Sequence, residues 1–278
     1  MAILFAVLCA CTYGTADYFG GRATRHVPAA VVTLAGQTAG MVILGVIAFA
    51  SGVPAPPAAD WWWGGVAGIF GSTGLLFFYK SMSTGHMTTA APVTAMVNAL
   101  IPVGFGFAIG ERPGVLALLA VPLVLVAVAL VSGLLEQGRG RAPLSVVGFA
   151  AVGGAFFGLI LVALHQTSDT SGVWPVLVMR FFSTPYMVAV VLATRQRTGD
   201  VRSRWKVVVT SGVLDSLANW FYVLAVREGM LTIVAMVVTL YPAVTIMLAT
   251  GIDRERLRRP QVIGLALAAA TLAMITFA

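Results

Sequence analysis

The sequence predicts an all-α integral membrane protein with ten transmembrane helices, arranged as two inverted five-helix repeats around a central cavity. Three observations lead to this fold class: a composition too apolar for a water-soluble domain, ten apolar windows of spanning length, and similarity between the two halves of the chain. Of 278 residues, 59% are hydrophobic and only 10% are charged, whereas about a quarter of residues are charged in soluble domains. So few charges cannot cover a soluble surface.

The ten windows follow from the length of helix that crosses a bilayer, about 20 apolar residues. Bounded by charges, prolines or glycine clusters, they fall at 2–21, 29–50, 61–79, 88–109, 114–134, 144–166, 173–194, 205–226, 230–251 and 260–277. Together they leave no room for a soluble domain, so the function has to reside inside the helix bundle. Kinks are expected at the prolines that lie within the windows, namely Pro92, Pro102, Pro122, Pro185 and Pro242.

The second half of the chain repeats the first at an offset of 144 residues. The offset aligns the windows one to six through five to ten without a gap, and it superimposes identical residues such as Phe5 on Phe149, Ser72 on Ser216, Phe77 on Phe221 and Thr88 on Thr232. We therefore expect a first repeat at 1–135, a linker at 136–143 and a second repeat at 144–278. Because five helices is an odd number, the second repeat enters the membrane the other way up, as in many secondary transporters.

The basic residues are distributed on one side of the predicted bundle. Fourteen of the 17 Lys and Arg residues lie in the loops that follow odd-numbered helices, whereas only Arg112 and Arg227 lie in the other loops. The side with the fourteen is called the basic face below, and the other the opposite face. The positive-inside rule makes the basic face cytoplasmic and places both termini outside. The net charge of +7 thus reflects topology, and nucleic acid is not expected as a partner.

Three motif segments lie in the same order as in a known family. They are Tyr13 to Gly21 in helix one, Pro102 to Gly110-Glu111-Arg112 before helix five, and Leu240-Tyr241-Pro242 through Asp253 to Leu257 before helix ten. With the two halves, they resemble the EamA family of ten-helix exporters in the drug/metabolite transporter superfamily. The resemblance covers essentially the whole chain and implies export of amino acids or related metabolites by alternating access. Members are commonly drawn with cytoplasmic termini, whereas the charges here favour the reverse.

Two ionisable residues lie deep in the predicted membrane, where each charge requires a partner or a wet cavity. Arg180 in helix seven and Asp215 in helix eight differ in depth by roughly 5 Å at 1.5 Å per residue, so their side chains are expected to pair. Asp215 could accept a proton or face a substrate ammonium, and Arg180 could hold a substrate carboxylate. The alternative is a permanent pair that only joins the two helices.

Polar residues spaced three or four apart form stripes that lipid would penalise, so they are expected to face the bundle interior. The alternative for each is interhelical hydrogen bonding. With two aromatic patches late in helices three and eight, they give the predicted substrate-binding set: Tyr13, Gln37, Ser72, Phe77, Thr94, Asn98, Arg180, Asp215, Asn219, Tyr222 and Thr239. The proton-coupling candidates are Asp215 and Asp17, although Asp17 could instead pair with Arg22 or Arg25 near the membrane surface.

These patterns predict a secondary active exporter of small metabolites, most notably amino acids with aromatic or hydrophobic side chains, in a bacterial-type inner membrane. A multidrug or cationic-compound effluxer on the same fold is the first alternative, and a non-transporting membrane scaffold is the second. No Walker loop, metal-ligand spacing or nucleophile–base motif occurs, so no enzyme activity, cofactor or metal is expected. The expected partners are the small-molecule substrate and membrane lipids, with the monomer as the functional unit.

Overall fold

The computed structural model describes residues 1–82, 87–132, 143–196, 199–254 and 257–277, and within these ranges the regular structure is entirely helical. In chain order the helices are α1 (Ala2–Thr24), α2 (Ala29–Ala50), α3 (Ala58–Met82), α4 (Met87–Ala108), α5 (Val115–Val131), α6 (Leu144–His165), α7 (Trp174–Ala193), α8 (Trp205–Glu228), α9 (Leu231–Val238), α10 (Tyr241–Ile252) and α11 (Arg259–Thr276), with a 3₁₀ helix at Gly199–Arg204 before α8. Residues 136–142 of the predicted linker, with Arg139 and Arg141, lie outside the described residues, as do Arg197, Glu255 and Arg256.

The predicted windows coincide with these helices to within a few residues, except at the ninth. The ninth window, 230–251, coincides with one apolar segment of spanning length, Leu231–Ile252, but within it the chain forms α9 and α10 with a break at Thr239 and Leu240. The reason is Pro242, which has no amide hydrogen to donate to the carbonyl of Val238. Pro242 therefore occupies the first turn of α10, where a missing amide hydrogen has no cost.

Seven helical segments of the described chain are long and apolar enough to cross a membrane: Ala2–Thr24, Ala29–Ala50, Leu144–His165, Trp174–Ala193, Val201–Glu228, Leu231–Ile252 and Arg259–Thr276. Val93–Ala108 and Val115–Val131 are shorter apolar helical stretches. Large apolar side chains such as Leu8, Val46 and Leu119 are exposed on the outside of the bundle, as is expected of a surface that faces lipid.

The helices pack in reciprocal pairs. α1 contacts α8, α9 and α10, while α6 contacts α3 and α4; α2 packs on α8, α3 packs on α7, and α5 packs on α11. α1 and α8 run antiparallel, because Ala2 lies beside Gly229 and the carbonyl of Ala16 accepts a hydrogen bond from Ser211. Each pair listed joins helices from different halves of the sequence, so the halves are interleaved along their length.

Small residues allow the closest of these contacts. The backbones of Gly36 in α2 and Gly212 in α8 touch each other: a Cβ atom at Gly212 would overlap α2, and one at Gly36 would be a tight contact with α8. Gly14 in α1 lies against Tyr241 and Val244 of α10 in the same way. Close backbone approach at small residues is typical of helix packing in membranes, and here it brings α2 onto α8 and α1 onto α10.

Candidate functional site

Arg180 and Asp215 form the ion pair that their similar depth predicts. The guanidinium of Arg180 in α7 donates a short hydrogen bond from Nη2 to the Asp215 carboxylate in α8, and its Nε donates to Ser216 Oγ at 3.2 Å. The two side chains differ in environment, since that of Arg180 is 5% exposed and that of Asp215 is 41% exposed. The pair is therefore open on the carboxylate side, where a further ligand could approach.

Asp215 belongs to a stripe of polar residues spaced three or four apart on α8, with Ser211, Asn219 and Tyr222, and those three side chains hydrogen-bond to backbone carbonyls. Asn219 donates from Nδ2 to the backbone carbonyl of Asp215 at 2.8 Å, and the Tyr222 hydroxyl donates to the carbonyl of Leu161 in α6 at 2.8 Å. Ser211 donates to the carbonyl of Ala16. Ser211, Asn219 and Tyr222 therefore face neighbouring helices or their own backbone, whereas the Asp215 carboxylate is partly exposed.

Asp17 in α1 is exposed to an interior space. It follows Leu8 by nine residues, which is two and a half helical turns, so the two side chains point in opposite directions. Leu8 is exposed on the lipid side of α1, whereas Asp17 is exposed on the side that faces the bundle interior. Asp17 and Asp215 are close enough to interact electrostatically, so two carboxylates and one guanidinium share this region.

The expected pairing of Asp17 with Arg22 is not found. Arg22 Nη1 forms an ion pair with Asp253 at 3.1 Å and also donates to the Tyr18 hydroxyl at 2.9 Å. Among the residues that the structure describes, Asp17 has no hydrogen-bond or ion-pair partner. An unpaired carboxylate that faces the interior is available for a cation or a proton.

Aromatic rings border these charges. Tyr13 lies one turn before Asp17 on the same side of α1, and its ring centroid is 6.2 Å from that of Tyr241, the first residue of α10. Tyr241 also interacts electrostatically with Asp17. The sequence pattern did not single out Tyr241 as a site residue, because its position depends on the break between α9 and α10. The aromatic residue directly before Pro242 was the available signal.

Other predicted binding residues lie in packing contacts. Ser72 donates to the carbonyl of Ser183, Thr94 donates to the carbonyl of Ala150, and Thr239 donates to the carbonyl of Ala235 one turn earlier; all three are buried. The Phe77 ring stacks on Phe156. Ser72, Thr94 and Phe77 thus join helices, Thr239 bonds within α9, and none of the four has a hydrogen bond to Arg180 or Asp215 among the described residues.

Gln37 and Asn98 are different, because each has a buried side-chain oxygen with no hydrogen-bond partner in the described structure. Gln37 lies in α2, one residue beyond the contact between Gly36 and Gly212, and Asn98 lies in α4. Buried amides are normally hydrogen-bonded. Both therefore have an acceptor to offer to water or to a bound molecule.

The interior is closed between the charged residues and the opposite face. Tyr222 lies about 10 Å beyond Asp215 along α8, at 1.5 Å per residue. Its side chain is fully buried, as are those of Leu164 and Leu231, and Leu161 and Val226 beside them are nearly so. Asp17, nearer the basic face, is exposed. Buried, largely apolar side chains therefore lie between the charged site and the opposite face, and we call Leu161, Leu164, Tyr222, Val226 and Leu231 the apolar plug.

The family model described as "EamA-like transporter family" matches residues 1–133 and again residues 144–277. The chain belongs to the EamA-like transporter family. It is thus a multi-pass membrane protein of a family of transporters and not of enzymes. A solved crystal structure is similar to it with a TM-score of 0.82 and 20% sequence identity, over 99% of this chain and 96% of that chain. That likeness shows a shared fold. No curated protein matches the sequence significantly.

One of the segments that supported the family resemblance makes a contact between the two halves of the chain. The Gly110-Glu111-Arg112 segment that supported the resemblance lies in the loop between α4 and α5, where the Glu111 carboxylate binds the first amides of α9. The sequence did not mark Glu111 as a site residue, because its partners lie 120 and 121 residues further along the chain. A contact so distant in sequence has no local pattern.

Proposed function

We propose that this EamA-like protein is a secondary active exporter of amino acids, chiefly those with aromatic or hydrophobic side chains, and that it works by alternating access. The observation that carries the proposal is the Arg180–Asp215 pair, buried on its cationic side and open on its anionic side, with Asp17 facing the same interior space. Charges of both signs at one depth complement a zwitterion, whose carboxylate and ammonium lie only a few bonds apart.

The architecture proposed for this cycle is the ten-helix inverted repeat with halves at 1–135 and 144–278. Its support is the reciprocity of packing: α1 contacts α8 and α10, and the helices 144 residues away make the equivalent contacts of α6 with α3 and α4. Gly14 contacts α10, and its counterpart Gly158 contacts Asn98 and Ile101 of α4. The family model also matches the chain twice. In such repeats the substrate binds near the membrane midplane, between the halves.

In this proposal the substrate carboxylate replaces Asp215 as the partner of Arg180. A guanidinium binds a carboxylate through two parallel hydrogen bonds, which suits an amino-acid end group. The substrate ammonium then lies between Asp17 and the released Asp215. A proton on either carboxylate competes with the ammonium, because a neutral carboxyl group attracts a cation less, and this competition couples transport to a proton gradient.

Efflux of cationic compounds is the second candidate, and the unpaired carboxylate of Asp17 favours it. When Arg180 and Asp215 neutralise each other, Asp17 leaves the interior with one net negative charge. Tyr13 and Tyr241 next to it offer aromatic faces, which attract organic cations. A lipophilic cation would therefore bind without disturbing the ion pair.

We further propose that the basic face is cytoplasmic, that both termini lie outside a bacterial-type inner membrane, and that one chain is the functional unit. The basis for the orientation is the distribution of basic residues. A reporter that is active only in the cytoplasm, fused to either terminus, tests the orientation. It is expected to be silent, and activity would contradict the assignment.

The function is tested with purified protein in proteoliposomes, using a panel of labelled amino acids with and without a pH gradient. We expect flux of aromatic and branched amino acids that responds to the gradient and falls by about tenfold or more in Asp215→Asn, in line with the loss of a hydrogen bond to a charged group. The matched control is Asp169→Asn, which changes an exposed acid in the loop between α6 and α7. Acid-driven movement of a lipophilic cation without amino-acid flux would replace the first candidate with the second.

A further inference from the structure

Outside the charged site, Glu111 accepts more hydrogen bonds than any other acidic residue in the described part of the chain. From the loop between α4 and α5, its Oε1 accepts a hydrogen bond from the amide of Leu231 at 2.6 Å. Its Oε2 accepts one from the amide of Thr232 at 2.8 Å and one from the Thr232 hydroxyl at 2.5 Å. Three donors of α9 thus converge on one carboxylate from the other half of the chain.

The local backbone is shaped for this contact. Gly110 has a φ of +89°, a conformation that few residues other than glycine adopt, and it turns the chain so that the Glu111 amide donates back to the carbonyl of Gly106 at 2.9 Å. Gly106 also lies against Thr232 and the Glu111 carboxylate, so that a side chain there would displace both. Two glycines therefore make room for one acid.

α9 depends on this acid. The first amides of a helix have no partner within the helix, and Met230, which precedes α9, provides no side-chain cap. A carboxylate at this end also interacts favourably with the helix dipole. The eight residues of α9 are nearly all buried, and Glu111 supplies the side-chain acceptor for its first two amides.

α9 in turn connects the opposite face with the charged site. Its first residue, Leu231, belongs to the apolar plug, and the break that follows its last residue places Tyr241 beside Tyr13 and Asp17. A displacement of α9 would therefore open the plug and move Tyr241 together.

From this geometry we infer that Glu111 is a positioning residue that latches the opposite face closed. While its carboxylate holds α9, the plug is shut and the site is accessible from the basic face. Opening toward the opposite face requires the hydrogen bonds to Leu231 and Thr232 to break. The inference rests on the proposed alternating-access cycle for its meaning in transport, although the latch itself is measurable without any substrate.

The test uses two cysteine reporters, each alone on a Cys9→Ser, Cys11→Ser background in proteoliposomes without substrate. Leu164→Cys reports on the buried plug, and Asp17→Cys reports on the exposed site. The rate of reaction with a membrane-impermeant maleimide is measured for Leu164→Cys from the opposite face and for Asp17→Cys from the basic face. Both rates are compared with and without Glu111→Gln.

Glu111→Gln keeps the size of the side chain but places an NH₂ group against a donor. We expect plug labelling to rise about tenfold, since hydrogen bonds to charged groups are the strong ones, and site labelling to fall. Opposite changes distinguish a latch from general loosening, which would increase both rates. Thr232→Val removes only the hydroxyl donor, and we expect a rise of about threefold, in line with a single hydrogen bond.

The matched control is Glu228→Gln, which makes the same change at an exposed acid on the same face and is expected to alter neither rate. Unchanged plug labelling in Glu111→Gln, or a rise at both reporters, would overturn the latch. If Glu111→Gln does not fold, Thr232→Val decides by the same two rates. Because no substrate is present, failure of the proposed amino-acid transport leaves this result interpretable.

Discussion

The contact surface between α1 and α8 carries hydroxyl groups and charges, whereas that between α3 and α6, which lies 144 residues away in both of its helices, carries phenylalanines and glycines. Tyr13 and Tyr222 of the first surface correspond to Phe157 and Phe78 of the second. The two phenylalanine rings pack edge to face with centroids 6.2 Å apart. The same helix pairing is thus built once with hydroxyls and once without.

The charges show the same difference. Asp17 corresponds to Leu161, Asp215 corresponds to Gly71, and Arg180 of the adjoining α7 corresponds to Gly36 of α2. Since the α3–α6 pair packs without any of these charges, the architecture does not require them. This argues against the view that Arg180 and Asp215 serve only to join helices. It also indicates how an amphiphilic substrate would lie, with its charged end at α1 and α8 and its apolar end toward α3 and α6.

Among variants that test the difference between the α1–α8 and α3–α6 surfaces, removal of Arg180 is expected to have the largest effect on transport and stability. Arg180→Met leaves Asp215 without its partner, and we expect loss of transport together with a loss of about 3 kcal/mol of stability, the lower part of the range for a broken buried pair, because Asp215 is partly exposed. In the double variant Arg180→Met, Asp215→Leu, stability should recover to within about 1 kcal/mol of wild type while transport stays absent. Thermal unfolding in detergent and proteoliposome flux measure the two effects. A double variant that transports would show that the pair is structural.

The second effect separates charge from geometry. Asp215→Asn retains an oxygen that accepts from Arg180 but leaves this buried guanidinium without its counter-charge, so we expect a loss of stability that is smaller than in Arg180→Met. Flux should fall about 10- to 100-fold, the range for losing a hydrogen bond to a charged group. The Asp169→Asn variant controls for the general effect of removing an acid. Unaltered flux in Asp215→Asn would show that the charge of Asp215 has no part in transport.

Asp17 is expected to matter less, because it is one of two carboxylates available to the substrate cation. For Asp17→Asn we expect the half-saturation concentration to rise about tenfold, in line with one charge-assisted contact, with the maximal rate less affected. The control is Asp253→Asn, which breaks the exposed pair with Arg22 and should cost under about 1 kcal/mol. If lipophilic-cation flux collapses in Asp17→Asn and amino-acid flux does not, the second candidate function is favoured.

The smallest effect on transport is expected from variants of the α3–α6 surface. Phe78 follows the lipid-exposed Ile69 by nine residues and so points to the interior, whereas Phe77 stacks on Phe156 beside it. Phe78→Ala should weaken the binding of aromatic amino acids about fivefold relative to that of free alanine, which is equivalent to the loss of about 40 Å² of apolar contact. Phe77→Ala is the matched control and should leave this ratio unchanged. The opposite result would favour Phe77, the ring predicted from the sequence.

Hydropathy and length were sufficient to predict the helices, because lipid requires each spanning segment to satisfy its own backbone. Depth counting was likewise sufficient for the Arg180–Asp215 pair, since two charges at one level in a bilayer interior have strong reason to meet. The break after α9 required knowing which of several prolines interrupts its helix. Pro122 and Pro185 lie inside continuous helices, whereas Pro242 does not.

That Asp17 has no ion-pair partner among the described residues was not predictable from its neighbours. Arg22 is five residues away in sequence, but it pairs instead with Asp253, which α10 brings alongside α1. Glu111 and Tyr241 were missed for the same reason, because their roles depend on contacts between residues more than a hundred positions apart. A sequence pattern reports on one helix at a time, and these contacts join two.

The eight-residue length of α9 has a mechanical consequence. At 1.5 Å per residue the helix is about 12 Å long; Glu111 holds its first residues, and the break at Thr239 and Leu240 separates its other end from α10. If its capped end swings sideways about that break by 10°, the cap moves by about 2 Å, enough to break a hydrogen bond with a 3 Å reach. Because α9 is short, a small rotation of this helix is sufficient to change the side of the membrane from which the site is accessible in the proposed cycle.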